Sequence, residues 1–396
     1  MTQTPALADI TMSSRSAKLV VRRLVLDHFR SFARLNVEVG PEPVVLTGEN
    51  GAGKTNLLEA LSLLAPGRGL RRARLADFSK REPEPHGWAV AATLSGCNGC
   101  INIGTGHIGG TPGRRKIRIN GVDGAVQSTL SEYLHVIWIT PGMDRLFTDA
   151  PSARRRFFDH MVTGFDPEHG RRLLAYQRCM RERVQMLRAY HADDVWLSAI
   201  EETIAEHAVA IAAARCDALT CLNNFLDSSF SEWFPRASIA FEGTVECGLK
   251  YTPAVTVEEQ FRSELAKSRT RDRETGAAAF GPHRTELLVW HIDHDLPAAH
   301  CSTGEQKMLL ISIVLAHALA QVQRSGQTPL ILLDEAMAHL DAIRRGHLID
   351  ALCMLGAQTW LTGVDADLFS YFASRAQFLT VSDGDLKKCD GRKLKQ

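Results

Sequence analysis

The sequence predicts an α/β fold assembled from both ends of the chain, a P-loop ATPase head with a helical arm inserted between its halves. Three observations carry this expectation. An apolar run, Val44-Val-Leu46, leads straight into the glycine-rich stretch Thr47-Gly-Glu-Asn-Gly-Ala-Gly-Lys-Thr55, which opens a helix. A second apolar run, Leu330-Ile-Leu-Leu333, ends on the acid pair Asp334-Glu335 near the other end of the chain. Between them, from Ser152 to Phe234, apolar residues recur at helical spacing. Strands alternate with helices at both ends, which argues for one α/β domain over 19–148 and 277–396 and a mainly helical arm domain over 149–276. Residues 1–18 are small and polar with no apolar core, and read as a disordered leader.

Leu19 to Leu26 reads as a strand, followed by a second at Val37 to Val39. Leu57, Leu58, Leu61 and Leu64 line one face of a helix from Lys54 to Leu64. Trp88 to Leu94, Ile101 to Gly104 and Lys116 to Asn120 read as short antiparallel strands, with turns at Asn98-Gly99, Asn120-Gly121 and Asp123-Gly124. Cys97 and Cys100 flank the first turn, but no second pair with similar spacing exists to complete a zinc site. Val136 to Ile139 reads as a further strand. Leu173, Tyr176, Met180, Val184 and Leu187 share one helix face, and the stripe from Leu197 to Phe225 marks a longer helix. Strand-like stretches follow at Ala237 to Glu242 and Leu249 to Thr252, then a charged helix from Val257 to Glu274. The remaining expectation is a strand at Leu287 to His291, helices at Ser302 to Val322 and Arg344 to Leu355, and strands at Leu330 to Leu333 and Thr359 to Leu361.

Composition narrows the class. A chain of 396 residues with 45% hydrophobic and 23% charged residues has material for a sizeable core. Its nine cysteines form no framework, which points to a reducing cytoplasm and against a disulfide scaffold. The longest apolar stretch, Met308 to Val322, is broken by Ser312, His317 and Gln321 and is short for a bilayer, so no membrane location is expected. The net charge of +1 hides basic runs at Arg68–Arg74, Arg114–Arg118, Arg154–Arg156 and Lys387–Lys395. Each is either a solvated surface or a phosphate contact.

Gly48-Glu49-Asn50-Gly51-Ala52-Gly53-Lys54-Thr55 fits the pattern G-x-x-x-x-G-K-[ST], between a strand and a helix as the motif requires. Its backbone N–H groups and helix end would cradle the phosphates of ATP, with Lys54 on the β- and γ-phosphates. The Thr55 hydroxyl and the Asp334 carboxylate are the expected Mg²⁺ holders, and Glu335 is placed to polarise the attacking water as general base. Two adjacent acids after four apolar residues are costly unless they serve a cation. Ser302-Thr-Gly-Glu-Gln-Lys307 leads into the apolar helix. Alone it is equally a capping box, Ser302 with Glu305. It also resembles the signature motif of ABC-type ATPases, in which Ser302 and Gly304 would bind the γ-phosphate held by a second copy. Leu340-Asp341 follows in the position of that class's D-loop. Lys54 and Ser302 lie 248 residues apart, further than in transporter subunits and much closer than in chromosome proteins with long coiled coils.

With these motifs in this order, the chain resembles the RecF family of bacterial recombination mediators, an ABC-type, SMC-like ATPase family, over nearly its whole length. The stretches that carry the resemblance are "LDHFRSFARLNVEV", "GENGAGKTNLLEALSLLAPGRGLRRAR", "DAPSARRRFFDHMV", "GPHRTELLVW", "STGEQKMLLISIVLAHA" and "LILLDEAMAHLD". The resemblance implies an ABC-type head, an ATP-dependent homodimer, and DNA binding at gaps or junctions. It implies action with RecR and RecO to help RecA load, and a slow, DNA-stimulated ATPase that resets the dimer. It further implies a cytoplasmic, nucleoid-associated protein. Another SMC-like ATPase of chromosome maintenance is the alternative. Three features depart from the family pattern. Thr285-Glu286 stand where two aspartates are usual, no glutamine lies in Trp138–Asp144 to serve as a Q-loop, and Thr362-Gly363 offer no switch histidine. Arg30 resembles an arginine that approaches the nucleotide in related ATPases, and is equally an exposed loop residue.

Overall fold

The computed structural model describes residues 18–80, 87–96, 99–109, 114–189, 193–226, 230, 232–382 and 384–389. The expected leader, apart from Lys18, lies outside the described residues, as do Cys97, Asn98 and the end of the basic tail. The chain divides into two compact units, one of residues 1–144, 228–235 and 303–396, the other of 145–227 and 236–302. The second boundary, expected at 276/277, therefore falls at 302/303. Residues 277–302 pack with the second unit because their strand pairs there.

In chain order the first unit opens with β1 (Val20–Phe29), β2 (Phe32–Glu38), β3 (Val44–Thr47) and α1 (Lys54–Ser62). It continues with β4 (Trp88–Gly96), β5 (Gly99–His107), β6 (Lys116–Ile119), β7 (Val122–Asp123) and β8 (Val136–Ile139). The second unit holds α2 (Pro151–Val162), α3 (His169–Arg188), α4 (Asp194–Leu226), β9 (Ala237–Glu242), α5 (Thr244–Leu249), α6 (Ala254–Lys267), α7 (Arg269–Thr275), β10 (Glu286–His291) and β11 (Leu296–Pro297). The first unit resumes with α8 (Thr303–Ser325), β12 (Leu330–Leu333), α9 (Ala342–Leu355), β13 (Thr359–Thr362), β14 (Gln377–Ser382) and β15 (Asp385–Cys389).

Two sheets build the first unit. One has the order β2-β1-β4-β5-β6-β7 and is antiparallel throughout. The other, β15-β14-β3-β13-β12-β8, is parallel except at its β14–β15 edge. Strands β3, β12 and β13 are buried at every residue, as a covered parallel sheet demands. Leu57, Leu58 and Leu61 of α1 share one core with Leu24 and Phe29 of β1 and Val44 and Leu46 of β3. Gln358, fully buried, links the two sheets. Its Oε1 accepts from Val21 N at 2.9 Å and its Nε2 donates to Val21 O at 3.1 Å. Helix α8 is long and apolar enough to cross a membrane by length and composition. However, 78% of its most apolar window is buried inside the protein, and it is a core helix.

Among the described residues the second unit joins six α-helices to the antiparallel sheet β11-β10-β9, whose β10 and β11 lie beyond the expected end of the arm. Tyr176, Ile204, Ala208, Phe261 and Leu265 form its apolar core. The strand expected at Leu249 to Thr252 is the end of α5 and a turn, because an apolar run this short sets no period of its own. The charged helix expected from Val257 to Glu274 is two helices, α6 and α7, parted at Ser268.

Buried arginines hold this unit together. Arg183 donates to Glu201 and Asp272, each at 2.8 Å, and to Leu265 O at 2.7 Å. Arg215 forks onto Asp159 at 2.8 and 3.0 Å and reaches Glu246 at 2.9 Å and Pro282 O at 2.8 Å. Burial pushes the Asp159 carboxyl up, but the Arg215 charge and the His169 hydrogen bond hold it below its ordinary value. Thr285 and Glu286 belong to the same construction. The Thr285 hydroxyl donates to Glu246 at 2.8 Å, and Arg154 forks onto Glu286 at 2.7 and 3.0 Å.

Candidate nucleotide site

The loop Gly48–Thr55 connects β3 to α1. Two of its glycines are forced by their surroundings. Gly48 has φ +139° and a side chain there would begin 2.4 Å from Val381 O of β14. Gly53 has φ +110° and would set a Cβ 2.5 Å from Ser31 Oγ. Glu49, Asn50 and Gly51 at the tip are exposed, while Ala52 is half-buried. Lys54 is buried, and its ammonium donates to Gly48 O at 2.6 Å and Glu49 O at 2.8 Å, curling under the loop. Burial lowers its pKa, opposed by the nearby Glu335 and Asp334 charges.

Parallel pairing of β12 with β13 and of β13 with β3 brings the loop and the acid pair to the same strand ends. Asp334 Oδ1 accepts from two hydroxyls, Thr55 Oγ1 at 2.9 Å and Thr362 Oγ1 at 2.8 Å. The Thr362 hydroxyl in turn accepts from Glu335 N at 2.9 Å. Glu335 itself has φ +52°, a left-handed backbone that turns the chain away from the strand. A hydroxyl and a carboxylate 2.9 Å apart are the oxygen donors that a hard divalent cation takes, so the residues present fit Mg²⁺.

Thr362 is the residue that sequence reasoning missed. In the sequence it stands out only for not being a histidine, and nothing in the chain marks it until the register of β13 is known. Arg30 answers to neither expectation alone. It has φ +53°, forks onto the buried Glu59 of α1 at 2.8 and 3.1 Å, and lies 5.1 Å over the Phe78 ring. It is therefore no free loop arginine but a brace for the P-loop helix. Arg71 joins it, donating to Asn56 Oδ1 at 3.0 Å and lying 3.5 Å from Glu59.

Two basic runs are partly spent on structure. Arg115 is buried, donating to the carbonyls of Leu63, Ala65 and Gly67 beyond the C-terminal end of α1, where burial lowers its pKa to about 10. Arg118 forks onto Asp123 at 2.7 and 2.8 Å. In the run Arg154–Arg156, Arg154 is committed to Glu286 and Arg155 donates to Thr285 O, leaving Arg156 exposed. Asp341 caps α9, accepting from Arg344 N at 2.8 Å, and this bond holds its carboxyl below the ordinary value. Ser302 is exposed and directly precedes α8, and Gly304 lies in its first turn.

A P-loop, an acid pair at the end of the next strand but one in the same sheet and a Ser-x-Gly-Glu motif opening the core helix define an ABC-type ATPase head of the SMC-like class. The RecF/RecN/SMC N terminal domain family matches residues 20–384. The chain is 48% identical to the DNA replication and repair protein RecF of Mesorhizobium japonicum, over 93% of this chain and 97% of that one. It is 46% identical to the protein of the same name from Brucella suis, over 94% and 97%. The chain belongs to the RecF family. Its fold is also that of a solved structure of the recombination mediator protein RecF with ATPrS in the RecFOR pathway, at TM-score 0.82 and 22% identity over 95% of this chain and all of that one. An Smc head domain derived from Pyrococcus furiosus matches more loosely, at TM-score 0.54 and 15% identity over 95% and 97%.

Proposed function

We propose that this chain is an ATP-driven recombination mediator of DNA replication and repair, which dimerises around ATP, binds DNA beside single-strand gaps and acts with RecR and RecO to help RecA load. The observation that carries the reading is the Thr55–Asp334–Thr362 constellation with Lys54 beneath the glycine loop, supported by full-length likeness to proteins named for replication and repair. Gly48–Gly53 and the N-terminus of α1 bind the triphosphate through backbone N–H groups, and Lys54 turns from the loop carbonyls to the β- and γ-phosphates. Thr55 and Asp334 would hold Mg²⁺, which neutralises charge on the phosphates when bound. Glu335 accepts a proton from the attacking water as general base. Ser302 and Gly304 contact the γ-phosphate on a second copy, with Asp341 beside it, so each site is completed by its partner. Hydrolysis then opens the dimer and releases DNA. Exposed arginines such as Arg68, Arg72 and Arg156 supply phosphate contacts, which makes DNA binding salt-dependent and weakly sequence-dependent.

The test is light-scattering mass and DNA affinity with and without ATP, on duplex and gapped DNA at two salt concentrations. Glu335→Gln should accumulate as an ATP-bound dimer on DNA. Ser302→Arg should bind ATP as a monomer. A Glu335→Gln protein that stays monomeric with ATP at every concentration, or a Ser302→Arg protein that dimerises normally, refutes the composite site.

A further inference from the structure

Lys307 sits five residues after Ser302, in the second turn of α8, and its side chain is 6% exposed. A lysine so placed must find oxygen for its ammonium. It donates to Ala338 O at 3.0 Å and reaches Glu335 O at 3.5 Å, with Asp144 Oδ1 at 3.7 Å. Burial lowers its pKa and the Asp144 charge opposes the shift. These contacts gather three segments around one cation. They are the helix that opens with the signature motif, the stretch after β8 that lacks a glutamine, and the turn that follows Glu335.

Glu335 holds φ +52° and His339 φ +64°. Non-glycine residues keep this left-handed backbone only where the surroundings enforce it, and such residues cluster at functional sites. The two sides of Glu335 are held separately. Its N–H is bound by the Thr362 hydroxyl. Its C=O accepts from Ala338 N at 3.0 Å and faces the Lys307 ammonium.

We infer that Lys307 is a positioning residue for hydrolysis, fixing the backbone of Glu335 from the carbonyl side and tying the aim of its carboxylate to the helix that carries the signature motif. A displacement of α8 then re-aims the base without touching the nucleotide. The inference rests on the assignment of Glu335 as general base.

The experiment compares wild type, Lys307→Met, Lys307→Arg, Glu335→Gln and the Glu335→Gln/Lys307→Met double variant. It measures affinity for a fluorescent ATP analogue and the single-turnover hydrolysis rate, with thermal melting as a check on folding. Lys307→Met should slow hydrolysis at least tenfold with affinity within threefold of wild type. Lys307→Arg, which keeps a cation on the same carbonyls, should recover to within threefold. The double variant should be no slower than Glu335→Gln, since both act through one carboxylate. If Lys307→Met does not fold, Lys307→Gln is read by the same criteria. An unchanged rate in the lysine variants, loss of rate and affinity together, or additive effects in the double variant overturn the inference. Glu335→Gln hydrolysing at the wild-type rate instead defeats the assignment of the base itself, a result separable from the others.

Discussion

Thr362→Val is the sharpest probe of the site, because valine fills the same buried space and removes only the hydroxyl. Thr362 is 1% exposed, so no water replaces the lost group. The hydroxyl donates to Asp334 at 2.8 Å and accepts from Glu335 N at 2.9 Å. A hydrogen bond to a charged group contributes about 1.5–3 kcal/mol, and an orphaned buried N–H costs about 1–3 kcal/mol. If only the first is expressed in the transition state, the turnover rate falls roughly 10- to 150-fold. The Mg²⁺ concentration for half-maximal rate should rise as well, because Asp334 loses one of the two hydroxyls that aim it. Steady-state hydrolysis across a Mg²⁺ titration measures both, with Thr362→Ser as the control that keeps the hydroxyl. A valine variant within twofold of wild type at every Mg²⁺ concentration refutes the reasoning.

Two further outcomes follow from buried charges, one in each unit. Lys54 has a lowered pKa in the nucleotide-free protein, so the folded state binds fewer protons than the unfolded one just below pH 10.5, and stability in that window rises with pH. A bound triphosphate reverses the shift, so nucleotide binding in this alkaline window should take up protons. Calorimetry in two buffers of different ionisation enthalpy detects this, and Lys54→Ala should abolish both the uptake and the binding. Arg215→Met strands the Asp159 and Glu246 carboxylates in the second unit and should cost about 3–5 kcal/mol. Urea unfolding reads the loss, and adding Asp159→Asn should return part of it. A loss under about 1 kcal/mol shows that the pair contributes little.

The P-loop, the Asp334-Glu335 strand and the long helices were legible in the sequence, because each is a local pattern with a fixed period or spacing. Val136–Ile139 and Leu330–Leu333 fall at the residues expected of them. What was not legible depends on pairing between distant segments. Strands β14 and β15 went unread, as their short mixed runs gain meaning only once β14 pairs with β3 and β15 with β14. Thr362 acquires its role from parallel register, and Lys307 from burial that a lone lysine in a polar motif does not announce. Thr285-Glu286 depart from the family pattern, and their partners Glu246 and Arg154 come from segments far away in the chain, which no local pattern announces. Arg154 and Arg155 illustrate the opposite error, since a run of three arginines reads as one surface when two of them are tied inside the unit.

The order of strands around β3 has a consequence for the birth of the protein. Both neighbours of β3, namely β13 and β14, come from the last part of the chain. The phosphate-binding strand therefore leaves the ribosome with no partner on either edge. At about 5–20 residues per second it waits on the order of half a minute for Thr359–Ser382 to be made. Over that interval Val44–Thr47 is an unpaired apolar strand, open to wrong pairing. The second unit, whose segments are contiguous but for residues 228–235, is complete in the meantime. The nucleotide site is thus among the last parts of the chain to form, and no truncated product lacking its C-terminal strands can carry it.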